Sequence, residues 1–208
     1  MRRFIIGLSS FLLGGSAAAA LSLVGHSHSN SAAAHPLAPS VAPARIAVAQ
    51  ASVSDAYAKG LIVRPISTVL NVPARMSYGE FLWDENGVPA GPTWVRVDLQ
   101  SQIISVFRGG HEIGTAVILY GADGMPTPTG KFPVLAKFKD HQSQTYDAAM
   151  PYTLRLTRDG VSIHGSNVRW GYATHGCVGV PTAFAAKLFN AVAVGDAVLI
   201  VGGESRRA

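Results

Sequence analysis

One cysteine stands in 208 residues, at position 177. A chain with a single thiol has no internal disulfide, and no Cys-x-x-Cys or spaced cysteine set is present to build a structural zinc site. Charge is also scarce, at 14% of residues, with 17 Lys and Arg against 12 Asp and Glu. From Trp94 onward the counts are 11 and 8, a net of +3, and two of those cations are the terminal pair Arg206 and Arg207. No basic stripe with interleaved aromatics appears, which excludes nucleic acid as a partner. A repeat of solenoid period is absent too.

The N-terminus carries the longest apolar run. Arg2 and Arg3 precede an apolar and small-residue stretch from Phe4 to Gly25, the pattern of an export signal. The pair lacks a fuller twin-arginine context, so export in the unfolded state is expected, to the periplasm or cell envelope of a bacterium. Small residues at 14–20 and 32–34 offer cleavage positions. A run of about 20 residues is also long enough to anchor the chain if left uncleaved, the one route by which a membrane would be a partner. The expected organisation is a signal or anchor over 1–25, a flexible Ala/Ser/Pro/His linker over 26–60, an arm packing on the domain over 61–93, a catalytic domain over 94–202 and a frayed tail over 203–208. His26, His28 and His35 fall in the linker and read as solvated.

From Trp94 the texture becomes that of short strands. Val95, Val97 and Leu99 alternate with Arg96 and Asp98, as one buried face of a strand requires. Further strands are expected over 103–107, 113–120, 131–137, 152–156, 161–164 and 197–201, punctuated by Gly109-Gly110 and Arg158-Asp159-Gly160. One helix is expected over 182–192, where Phe184, Leu188 and Val192 repeat every four residues behind Pro181. The fold class is mainly β, a sandwich or barrel with one principal helix after the informative motif. Residues 138–150 are polar and unpatterned, a loop of the length that covers sites.

The chemistry-bearing stretch is Ile163-His164-Gly165, nine residues, then His175-Gly176-Cys177. A thiol is about 8.5 in pKa when unperturbed, so a nucleophilic Cys177 needs a base or a cationic neighbour. His164 ends a predicted strand and can approach from the side. His175 is two residues away and faces Cys177 only if the segment is extended. Gly165 and Gly176 leave the backbone open to close approach, and Gly176 suits a tight turn before the nucleophile.

These residues resemble the L,D-transpeptidase catalytic domain, the YkuD type, over about residues 94–202. The resemblance is carried by the strand Val95–Leu99, Thr127-Pro128-Thr129-Gly130, Met150-Pro151-Tyr152, Ile163-His164-Gly165 and the signature Thr174-His175-Gly176-Cys177. It implies that Cys177 is the nucleophile, that His164 is the base and acid, and that the Gly165 carbonyl orients its ring. It implies that His175 shapes the site and that amides near Gly176 form the oxyanion region. Arg169, Trp170, Tyr152 and Thr174 are the candidate substrate-binding residues. The implied partner is the peptidoglycan peptide stem, acylating Cys177 before transfer to an amine, and a carbapenem β-lactam is expected to acylate the same sulfur. Neither a metal nor another cofactor is implied. Water as acceptor would make the enzyme an L,D-carboxypeptidase, and a degenerate site would leave a non-catalytic wall-binding module. Two departures stand out: Gly179 occupies a position where the family usually has Arg or Asn, with Arg169 or Arg155 as candidate replacements, and the loop between His164 and Cys177 is shorter than in many members.

Overall fold

The computed structural model describes residues 45–143 and 145–202. The expected export segment, the first part of the expected linker and the tail lie outside the described residues. Among the described residues no helix is long and apolar enough to cross a membrane.

In chain order the elements are β1 (Arg45–Ala47), α1 (Gln50–Ala58), β2 (Thr68–Leu70), β3 (Phe81–Trp83), β4 (Thr93–Asp98), β5 (Ile103–Arg108), β6 (His111–Val117), β7 (Gly130–Pro133), β8 (Ala136–Phe138), β9 (Thr153–Arg155), β10 (Ser162–Ser166), β11 (Val178–Pro181), α2 (Thr182–Ala191) and β12 (Ala197–Val201). They form two sheets. The larger runs β1-β2-β6-β5-β4-β12-β7, with β3 paired to the side of β6, and the smaller runs β11-β10-β9-β8. Val95, Val97, Ile104, Val106, Ile163, Val178 and Val180 meet Phe184 and Leu188 of α2 in one buried core. The mainly β class and the single helix after the Cys177 motif are as expected from the sequence.

Besides β11 over Val178–Pro181, where no strand was expected, two features differ from that reading. The stretch read as linker up to residue 60 holds β1 and α1. Helix α1 has almost no amphipathic pattern and buries only Val53, so periodicity could not announce it. It is held from outside: Val53 and Ile62 cover Trp94, whose ring stacks on Phe107 with centroids 4.6 Å apart. Trp94 is on the same strand face as Arg96 and Asp98, so the arm closes a face that alternation assigns to solvent. The second difference is the single strand expected over 131–137, which is two. β7 pairs with β12, whereas β8 pairs with β9 in the other sheet. Pro133 lies at the end of β7, where its missing N–H removes a ladder bond.

Candidate active site

Strands β10 and β11 run parallel, with Ile163 opposite Val178 and His164 opposite Gly179. Ile163 and Val178 face the core, so Ser162 and His164 lie on the other face. Cys177 immediately precedes β11 and lies at the level of Ser162, two residues along from His164. Strand geometry makes that offset about 7 Å along the sheet and about 5 Å across it. The base candidate and the nucleophile candidate are therefore neighbours on adjacent strands.

Nδ1 of His164 is 3.0 Å from the Gly165 carbonyl. A carbonyl only accepts, so Nδ1 carries the proton and Nε2 is left as the acceptor. Gly165 has no room for a side chain: a Cβ there would lie 3.0 Å from Pro151 Cγ and 3.2 Å from Thr182 Oγ1. Burial pushes the imidazole pKa below its ordinary value; the Gly165 bond opposes this, and the nearby His141 adds to it. Burial pushes the Cys177 thiol up, against an opposing bond from the Ser162 backbone. The thiol donates to the Gly160 carbonyl at 3.9 Å, and among the described residues no hydrogen bond joins it to His164. Both shifts favour a neutral imidazole and a protonated thiol over an ion pair.

The turn that presents Cys177 is laced to a second loop. Gly176 sits at φ +106°, a conformation that a side chain would strain. The Cys177 carbonyl accepts from Thr174 Oγ1 at 2.5 Å and, more weakly, from Thr127 Oγ1 at 3.4 Å. Thr127 Oγ1 itself accepts from the Gly121 amide at 2.9 Å. Gly121 bridges Thr174, and a Cβ on Gly121 would lie 2.0 Å from the Met125 carbonyl. Among the described residues, the amides of Gly176 and Cys177 donate to no backbone carbonyl.

The polar loop after β8 covers this turn. Gln142 bridges Ala149, and Ser143 N–H donates to the Ala148 carbonyl, so the loop is a short hairpin. Its Tyr146 ring stacks on His175 with centroids 4.1 Å apart and planes 14° apart, and its hydroxyl donates to Met125 Sδ at 3.2 Å.

The structure brings Cys177, His164, Gly165, Thr174, His175 and Gly176 together. Tyr152 lies just before β9 at φ +57° and packs edge-on against Phe189 of α2, at 5.9 Å. Arg169 and Trp170 are exposed on the loop between β10 and Cys177, with Arg169 Nε donating to Asn167 Oδ1 at 2.9 Å. Arg155 donates to the Arg158 carbonyl. Neither arginine occupies the space beside Gly179. That space is taken by Ser166, whose Cβ would lie 3.0 Å from a Cβ on Gly179. Sequence reasoning missed Thr127, Gly121, Tyr146 and His141 as parts of the site. Thr127 lies in a turn already singled out, and Tyr146 and His141 lie in the loop already flagged, but neither pattern shows what those side chains touch.

A family model for the L,D-transpeptidase catalytic domain, YkuD, matches residues 92–200. The chain belongs to that family. It is 29% identical over 123 residues to L,D-transpeptidase 1 of Mycobacterium tuberculosis, a match covering 50% of this chain and 48% of that protein. The chain thus spans about half the length of the curated relatives it matches. Its fold is similar to the crystal structure of an L,D-transpeptidase from Stackebrandtia nassauensis, with a TM-score of 0.51 and 25% identity over 55% of this chain and 58% of that one.

Proposed function

We propose that the chain is an exported peptidoglycan L,D-transpeptidase of the bacterial cell envelope, with Cys177 as nucleophile and His164 as its base. The observation that carries the reading is the Nδ1–H bond from His164 to the Gly165 carbonyl. It presents a basic Nε2 on the strand beside the only thiol, without an acidic third residue.

The reaction runs in two steps. With a stem in the groove, His164 Nε2 takes the thiol proton, and the sulfur attacks the carbonyl at the L-centre of the stem's diamino acid. The C–N bond to the terminal D-alanine breaks, and that amine leaves with the proton returned by His164. A thioester remains on Cys177. An acceptor amine then attacks the thioester, its proton passes to His164, and the sulfur leaves as the thiol. Developing negative charge on the carbonyl oxygen is met by the amides of Gly176 and Cys177. A carbapenem acylates the same sulfur through its strained lactam.

Intact-mass measurement after carbapenem treatment tests the nucleophile: an adduct forms on the wild type and not on Cys177→Ala. Tetrapeptide stems supplied with and without an amine acceptor then test the reaction. Cross-linked product with release of D-alanine is expected. Release without transfer makes the protein a carboxypeptidase, and neither adduct nor release leaves a binding module.

A further inference from the structure

Trp170 is 81% exposed, yet its position is not left to chance. The Tyr78 ring holds it edge-on, with centroids 5.6 Å apart and planes at 75°. Tyr78 is itself fixed, its hydroxyl donating to Gln102 Oε1 at 2.8 Å. It also packs in the cluster containing Val168, and Val168, 4% exposed, pins the loop that carries Trp170. A single exposed tryptophan needs no explanation. This one rests on a segment that borders a cavity. The segment Met76–Gly79 that supplies Tyr78 also walls a cleft of about 500 Å³, lined by Pro73, Arg75, Met76, Gly79, Glu80 and Phe81. Gly79 lies against the Val168 carbonyl, where a Cβ would be 3.4 Å away, so cleft and tryptophan share one strut.

We propose that this cleft and Trp170 form a saccharide subsite that holds the glycan from which the stem hangs. The inference rests on the wall-peptide reading above. A pyranose has apolar C–H faces and a polar rim of hydroxyls. The flat, pre-oriented indole suits the faces, and Arg75 and Glu80 suit the rim. An anionic ligand would meet Glu80 as well as Arg75. The Trp170 loop runs from the end of β10 directly into Thr174-His175-Gly176-Cys177, so a sugar bound there lies beside the strand of chain that carries the thiol.

The test uses the full chain as Cys177→Ala, so that binding is read without turnover and its outcome is separate from that of the transpeptidase reading. A peptide-free N-acetylglucosamine tetrasaccharide is titrated by calorimetry. Saturable binding is expected, weakened tenfold or more by adding Trp170→Ala and largely retained with Trp170→Phe, with both variants folded by circular dichroism. Absence of saturable saccharide binding would overturn the proposal, as would equal affinity in the Trp170→Ala protein. Binding of a free tetrapeptide that depends on Trp170, with none of the sugar, would also overturn it and make the surface a stem subsite.

Discussion

Thr174 holds Cys177 by its carbonyl: the threonine hydroxyl donates to the oxygen at 2.5 Å, across three residues. The bond closes the turn in which Gly176 adopts positive φ, and it fixes the peptide plane beyond the thiol. Thr174→Val removes the donor at nearly constant volume. It is expected to lower kcat by about tenfold, the equivalent of about 1.4 kcal/mol, with KM little changed and activity restored by Thr174→Ser. Thr127→Val should cost less at the sulfur, since its bond to the same carbonyl is longer. Its larger effect should be on stability, about 1–3 kcal/mol, because the buried Gly121 amide loses its acceptor. Stem kinetics and denaturant melts separate the two.

In the proposed mechanism, His164→Ala leaves Cys177 without a base. Acylation by a carbapenem is expected to slow by about 10²–10⁴-fold, the usual worth of a positioned general base. Time-resolved mass measurement reads it. Acylation of this variant at the wild-type rate would remove His164 from the mechanism.

The pH dependence follows from the neutral resting pair. The proposed mechanism requires His164 unprotonated, and burial lowers its pKa. The acidic limb of kcat/KM should therefore fall below the ordinary imidazole value of about 6.5. Because burial raises the thiol pKa, alkylation of Cys177 without substrate should be slow at neutral pH and accelerate only on the alkaline side of about 8.5. Rapid alkylation at pH 6 would show a thiolate ion pair instead.

Tyr146→Ala removes the ring stacked on His175 and the hydroxyl on Met125. An aromatic pair of this kind contributes about 0.5–1.5 kcal/mol, so the hairpin over 142–149 should open more often. Faster amide exchange across that hairpin and a KM raised by about threefold to tenfold are expected. Unchanged exchange would mean that the hairpin is held by its own bonds alone.

Glu112 is buried in β6, and one carboxylate oxygen accepts the Leu70 amide at 2.8 Å. Burial raises its pKa, against opposing bonds from Ser105 and Leu70 and the charge of Arg45. A raised folded-state pKa means that the folded chain binds its proton more tightly than the unfolded one. This contribution to stability is therefore full below the unfolded value of about 4.3 and is lost as pH rises through the folded value. Glu112→Gln keeps an oxygen for Leu70 and removes the charge. It should raise the melting temperature at pH 7 and flatten its pH dependence above pH 4, which a thermal melt series checks.

The sequence by itself determined the parts of this protein whose physics is local. Alternation of Val95, Val97 and Leu99 with Arg96 and Asp98 marked β4, because side chains on a strand point to opposite faces in turn. The four-residue repeat of Phe184, Leu188 and Val192 defined α2. The residues His164, Gly165, Gly176 and Cys177 carried the resemblance to the family whose model matches residues 92–200. Tertiary structure alone decided the rest. Helix α1 exists because Trp94 needs a cover, not because its own pattern asks for a helix. Ser166 fills the place beside Gly179 through a contact between parallel strands. Thr127 and Tyr146 reach the nucleophile turn from 50 and about 30 residues away in the chain. No local preference of theirs records that destination, because the loops that carry them are positioned by the two sheets folding against each other.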